Sequence, residues 1–288
     1  MRSLLARSLA AACIVAGAAL LPTPGAAQER VSFPSLDGAG HAPVVLTGFF
    51  FAAAGAGATR APTVALFHGC GGAYDRQGAL GQRLRDYAAL FNGRGMHALV
   101  VDSLTPRHEK ELCTQRTGSR RVTVGHRRQD ALGAVAYLAE RQDVDAARIG
   151  LVGWSHGGST VLAATNRRHR DVDSARVQPS FAIAFYPGCE TELKRGYEPV
   201  APLLLLAGEL DDWTPAAPCA ALARASAEPK PEIEIYAGAW HGFDSAAPVR
   251  LRRDVPNGVR PGQGVHVGGN PAARLASRER LLRFVAAH

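Results

Sequence analysis

The stretch Ile149-Gly150-Leu151-Val152-Gly153-Trp154-Ser155-His156-Gly157-Gly158-Ser159 joins a short apolar run to a serine with a glycine two residues away on either side. Residues 149–152 have the length and composition of a buried strand, and residues 160–165 beyond the glycines suit a helix. A serine on so sharp a strand-to-helix turn takes backbone dihedrals that drive side chains two residues away into collision, and glycine at 153 and 157 removes those side chains. G-x-S-x-G alone is a weak signal, since with 31 glycines roughly one chain in six of this length would contain it by chance. The strand before it and the helix after it are what predict an elbow with Ser155 at its tip.

Working outward, strand-like runs occur at 31–36, 43–51, 63–67, 96–101, 181–186, 203–207 and 232–236. Helical spacing is present at 79–91, 130–141, about 215–226 and 272–287. Residues 246–270, rich in Gly, Pro and Arg, read as a loop. Residues 103–128 carry Arg107, Lys110, Arg116, Arg120, Arg121, Arg127 and Arg128 against few acids, and read as a surface excursion whose latter part can begin the next helix. Apolar strands alternating with helices predict an α/β fold, a doubly wound, mostly parallel sheet with helices on both faces. In such sheets ligands bind beyond the carboxyl ends of the strands, where the elbow and the motifs below fall.

A serine nucleophile needs an imidazole to take its proton and a carboxylate to hold that imidazole in the right tautomer. After the strand at 203–207 comes Gly208-Glu209-Leu210-Asp211-Asp212-Trp213-Thr214-Pro215, and after 232–236 comes Gly238-Ala239-Trp240-His241-Gly242-Phe243. The order serine, acid, histidine is that of α/β-hydrolases, with Asp211 as the acid, Asp212 as its alternative, and His241 as the base. His68 also follows an apolar strand and precedes glycine, and takes a structural reading over a direct one. Two backbone donors must stabilise the tetrahedral oxyanion. One is the amide of His156, directly after the nucleophile, and the other is that of Cys70, in the His-Gly-x-x stretch after the strand at 63–67.

FHGCGG, GWSHGG, GELDDWTP and AWHGFD, in this order, resemble the dienelactone hydrolase family of α/β-hydrolases over nearly all of the chain beyond the leader. The resemblance implies hydrolysis of a small-molecule carboxylic ester or lactone without a cofactor, by Ser155, Asp211 and His241. One departure bears on substrate: the dienelactone-cleaving enzymes that name the family carry a cysteine where this chain has Ser155, so a general serine esterase is the expected activity. A peptidase or acyltransferase would share every catalytic residue. A non-catalytic binding protein on this scaffold would usually have lost a triad member.

The three tryptophans all fall beside the triad: Trp154 next to Ser155, Trp213 two residues after Asp211, and Trp240 next to His241. Packing beneath the site is one reading and an aromatic wall for the substrate the other. Arg107, just past a strand end, is a candidate receiver of a substrate carboxylate, against a structural ion pair or a solvated loop.

Arg2 and Arg7, the apolar run 9–21 and the small residues Gly25-Ala26-Ala27 read as a secretory signal peptide cleaved before Gln28, which predicts a secreted or periplasmic protein with one domain over 28–288. No later run is long and apolar enough to span a bilayer. The net charge of +8, with 20% charged residues and no nucleic-acid-binding motif, reads as a solvated basic surface. Cys70, Cys113, Cys189 and Cys219 make an even set suited to an oxidising compartment. Of three pairings, the map of strand ends favours Cys70 with Cys113 and Cys189 with Cys219, free buried thiols being the alternative. No C-x-x-C pair or Cys/His spacing marks a metal site.

Overall fold

The computed structural model describes residues 28–38, 43–53 and 60–288; the expected signal peptide, residues 1–27, lies outside the described residues. Strands β1 (Gln28–Pro34), β2 (Val45–Phe51) and β3 (Ala61–Phe67) are followed by α1 (Gln82–Asn92) and β4 (His97–Asp102). Helix α2 (Val124–Glu140) leads to β5 (Val144–Trp154), α3 (His156–Ala164), the short α4 (Arg170–Asp173) and β6 (Phe181–Phe185). Then come α5 (Glu190–Arg195), β7 (Leu203–Gly208), α6 (Ala216–Ala225) and β8 (Glu232–Tyr236). A ribbon of β9 (Arg250–Arg252) and β10 (Val265–Val267) precedes the last helix, α7 (Pro271–Ala287).

The main sheet has eight strands in the order β1-β2-β4-β3-β5-β6-β7-β8. β2 is antiparallel to both β1 and β4, and every other neighbouring pair is parallel. Alternate residues of one strand feed two cores. Ala65 and Phe67 face the side covered by α2, α3 and α6 through Leu138, Val161 and Leu222. Val64 and Leu66 face the side covered by α1 and α7 through Leu84, Phe91, Leu281 and Phe284. Burial on both faces explains why these strands read as unbroken apolar runs, each buried Leu or Phe side chain contributing about 1.5–3 kcal/mol.

This topology fixes where a site can form. β3 and β5 are neighbours in register, Phe67 beside Gly153, yet β3 continues through α1 to β4 on one flank while β5 continues through α3 to β6 on the other. The loops leaving the two carboxyl ends diverge and leave a crevice between them.

Two expectations change. Helix α2 begins at Val124, six residues before the apolar spacing shows it, because Thr123 caps it: its side chain accepts from the His126 N–H, and the His126 ring accepts from the Thr123 N–H. The charged residues that masked its first turns, Arg127 and Asp130, are fully buried. The stretch 246–270 holds the β9–β10 ribbon, paired Val265 to Arg252.

Asp130 receives two hydrogen bonds from Arg107, at 2.7 and 3.0 Å, on the buried side of α2. Removing a buried partner leaves an uncompensated charge, so Asp130→Ala should lower unfolding free energy by about 3 kcal/mol in denaturant titration.

Candidate active site

Ser155 opens α3 with φ 54° and ψ −117°, a left-handed conformation that a residue with a side chain adopts only when its surroundings impose it. They do so on both sides. A Cβ on Gly153 would lie 2.2 Å from the Gly157 carbonyl oxygen, and one on Gly157 would lie 2.0 Å from that of Phe67. The Ser155 N–H is held by the Phe185 carbonyl at 2.9 Å.

His241 Nε2 lies 2.9 Å from Ser155 Oγ, and His241 Nδ1 lies 2.8 Å from Asp211 Oδ2. Because a carboxylate only accepts, Nδ1 carries the ring proton and Nε2 presents its lone pair to the serine hydroxyl. Asp211 is buried but well satisfied. Its Oδ1 accepts from the N–H groups of Trp213 and Thr214 at 2.8 and 2.9 Å, and its Oδ2 from the Thr214 hydroxyl at 3.1 Å. Asp212 turns elsewhere, accepting from the backbone N–H of His266 at 2.8 Å and pairing with its Nδ1 at 2.7 Å. Of the two aspartates, Asp211 is therefore the one that reaches His241. The aromatic rings of Tyr186 and Trp213 pack on His241 with centroids 4.6 and 4.7 Å away, fixing its plane.

Ser155, His156 and Cys70 line one cavity of about 380 Å³. Among the described residues, neither the Cys70 nor the His156 amide N–H has an acceptor within the protein. The Cys70 loop is drawn against the elbow through Gly69, where a Cβ would stand 3.6 Å from that of Ser155. His68 is buried away from the cavity. Its Nδ1 donates to the Gly69 carbonyl at 2.7 Å, its Nε2 accepts from Ser103 N–H at 3.3 Å, and burial with the Arg127 charge keeps it neutral, well below the usual histidine pKa.

Arg127, expected in a surface excursion, is wholly buried in the fold and gives one hydrogen bond to His156 Nδ1 at 2.9 Å and one to the His68 carbonyl at 2.8 Å. Burial pushes its pKa down to about 10. No sequence signal separates it from the six other cations of that segment, because only the capped start of α2 turns it inward.

Arg107 does not reach the cavity. Its guanidinium is committed to Asp130 and Asp37 and to the Ser103 carbonyl at 2.8 Å, which corrects the expectation that it receives a substrate carboxylate. Arg120 is the arginine that lines the cavity. The tryptophans divide. Trp154 is fully buried against Phe185 and Tyr87, with centroids 5.5 and 4.7 Å away, and Trp240 lies against the His266 ring at 4.4 Å. Trp213 alone of the three lines the cavity, with Val124, Pro215, Pro218 and Val259.

Disulfides join Cys70 to Cys113 and Cys189 to Cys219, each with a Cα separation of 5.0 Å. Among the described residues no group of three or more His, Cys, Asp or Glu side chains is arranged to hold a metal ion.

Residues 51–286 match the dienelactone hydrolase family. The chain belongs to that family. No curated protein matches it by sequence. Among solved structures, a protein assigned as a dienelactone hydrolase from Klebsiella pneumoniae subsp. pneumoniae is 16% identical with a TM-score of 0.61, covering 91% of this chain and 100% of that one. The propionate-bound thermophilic esterase Est2 of Thermogutta terrifontis is 18% identical with a TM-score of 0.58, covering 92% and 94%. Dipeptidyl peptidase 4 of Porphyromonas gingivalis is 16% identical with a TM-score of 0.61, covering 91% of this chain and 36% of that one. At these identities the likeness is one of fold, the α/β-hydrolase fold, and family membership makes the chain a hydrolase.

The two aspartates are separable by kinetics. Asp211→Asn should lower kcat on an activated ester by about 10³- to 10⁴-fold, since the amide no longer holds His241 in its Nδ1–H tautomer. Asp212→Asn should cost less than about tenfold, because the residue touches His266 and not His241.

Proposed function

We propose that the protein is an exported serine hydrolase that cleaves carboxylic esters or lactones through an acyl-enzyme on Ser155. The observation that carries this reading is the unbroken hydrogen-bonded series from Ser155 Oγ through His241 to Asp211, at 2.9 and 2.8 Å. His241 takes the proton of Ser155 as Oγ attacks the ester carbonyl, and Asp211 stabilises the imidazolium that forms. The negative oxygen of the tetrahedral intermediate is met by the N–H groups of Cys70 and His156, the latter at the start of α3, where the helix dipole adds positive potential. His241 then protonates the departing alcohol, and a water activated by the same imidazole releases the acid.

One structural neighbour supports an ester as substrate. Est2 of Thermogutta terrifontis is an esterase, and it has been obtained phosphorylated by paraoxon. The cavity wall of Trp213, Val124, Pro215, Pro218 and Val259 offers apolar surface to a small acyl or alcohol group. Export is supported by the leader and by two disulfides, bonds that persist in oxidising compartments.

A fluorophosphonate probe should label the folded protein, and Ser155→Ala should abolish labelling and lower ester turnover by several orders of magnitude. Folded protein that takes no label would refute the reading. A matched amide turned over as fast as its ester would move the assignment to a peptidase. The N-terminal residue of exported protein should be Gln28, as read by mass spectrometry.

A further inference from the structure

The residue after the nucleophile is a histidine whose side chain the catalytic scheme does not use. His156 is buried, 8% exposed, and lines the cavity beside Ser155 and Cys70. Its Nδ1 is approached by Nη1 of Arg127 at 2.9 Å. A guanidinium has no acceptor, so Nδ1 must be the accepting nitrogen. Burial, then the positive charge of Arg127, then that of Arg120 hold the ring neutral. A neutral ring that accepts at Nδ1 carries its single proton on Nε2. Among the described residues Nε2 has no partner, so the cavity beside Ser155 is presented with an N–H that the protein leaves unmatched. Arg120, on the same cavity wall, is likewise a donor only, and among the described residues its Nε is buried without an acceptor.

We propose that the His156 side chain, held by Arg127 with its proton on Nε2, is a substrate-contacting donor that selects esters or lactones whose acyl part carries a second oxygen acceptor near the scissile carbonyl. This rests on the ester hydrolase reading above and names its substrate class. Arg127 acts through His156 and is a positioning residue. Its second bond, to the His68 carbonyl at 2.8 Å, ties that donor to the Cys70 loop, so the acceptor group and the oxyanion are received by one connected unit. An acyl chain lacking the acceptor strips water from the N–H without replacing it, and this penalty is what makes a polar site discriminating.

The test compares p-nitrophenyl methoxyacetate with p-nitrophenyl butyrate, which differ by an ether oxygen in place of a methylene, after dividing out their ratio in alkaline hydrolysis. The protein should favour the methoxyacetate in kcat/KM by about 3- to 10-fold, the worth of one uncharged hydrogen bond. His156→Leu should abolish that preference, whatever it does to both rates through the oxyanion hole. His156→Gln should retain it, because an amide can accept from Arg127 and still donate. An equal corrected ratio in the unaltered protein and His156→Leu would overturn the proposal. A readout independent of turnover is [15N]histidine NMR of the unaltered protein. The His156 ring should be protonated at Nε2, lose that fixed tautomer in Arg127→Met, and respond to added methoxyacetate more than to butyrate. A proton on Nδ1, or equal responses to the two acids, would refute it. Turnover of neither ester by folded protein would instead remove the ester hydrolase reading, with the NMR result still deciding the donor.

Discussion

No atom larger than hydrogen fits on the Cα of Gly157, where a Cβ would lie 2.0 Å from the Phe67 carbonyl oxygen and 2.6 Å from that of His68. That contact joins the start of α3 to the end of β3, and the site depends on it. It lets the elbow close onto the neighbouring strand, which brings His156, the residue after Ser155, and Cys70 to one cavity. Ser155 is then held at φ 54° by the strands on either side of it, so the hydroxyl reaches His241 from a backbone that cannot relax. Local strain at Ser155 is balanced by the eight-stranded sheet beneath it.

Beneath the elbow, α2 supplies a buried polar layer. Arg127 and Asp130 are fully buried three residues apart on the same helix face, one turned toward His156 and the His68 carbonyl and the other toward Arg107. Asp130 and Asp37 together hold Arg107, which anchors the beginning of the excursion after β4 to the α2 side of the sheet. Burying these groups stabilises little by itself, because desolvation offsets most of the attraction. What it contributes is position: the pairing of Arg107 with Asp130 and Asp37 fixes where the 103–123 segment leaves β4.

The doubly wound fold and the elbow were legible in the sequence because both are spelled locally, by apolar runs of strand length and by glycines at a fixed spacing from a serine. The Asp211 and His241 turns were legible for the same reason, each following an apolar strand. Between the two aspartates the sequence favoured Asp211, the one that lies 2.8 Å from His241 Nδ1, while β10 with His266 was hidden in a stretch that reads as Gly, Pro and Arg. The arginines of the excursion were the least legible. Arg107, Arg120 and Arg127 look alike in a basic segment, yet one is ion-paired in the interior, one lines the cavity, and one bonds to His156. Trp154 and Trp213 were equally indistinguishable, because a position beside Ser155 or Asp211 does not say whether the side chain is buried in the core or lines the cavity.

The disulfides follow the same division between scaffold and loops. A sheet buried on both faces has no need of covalent reinforcement, and neither bond joins two strands of it. Cys70–Cys113 instead ties the loop after β3 to the excursion after β4, and the Leu112 N–H reinforces it by donating to the Cys70 carbonyl at 2.7 Å. Cys189–Cys219 ties the segment after β6 to α6, just beyond the turn that carries Asp211. With the linked positions 43 and 30 residues apart in sequence, the loop entropy removed from the unfolded chain is worth about 3–4 kcal/mol per bond on a chain-entropy estimate. The same links restrict the native loops, and Cys70 and Cys189 both line the cavity. Loops are ordinarily the least stable part of an α/β domain, and here the covalent restraints fall on the loops from which the cavity is built, leaving the sheet to hydrophobic packing.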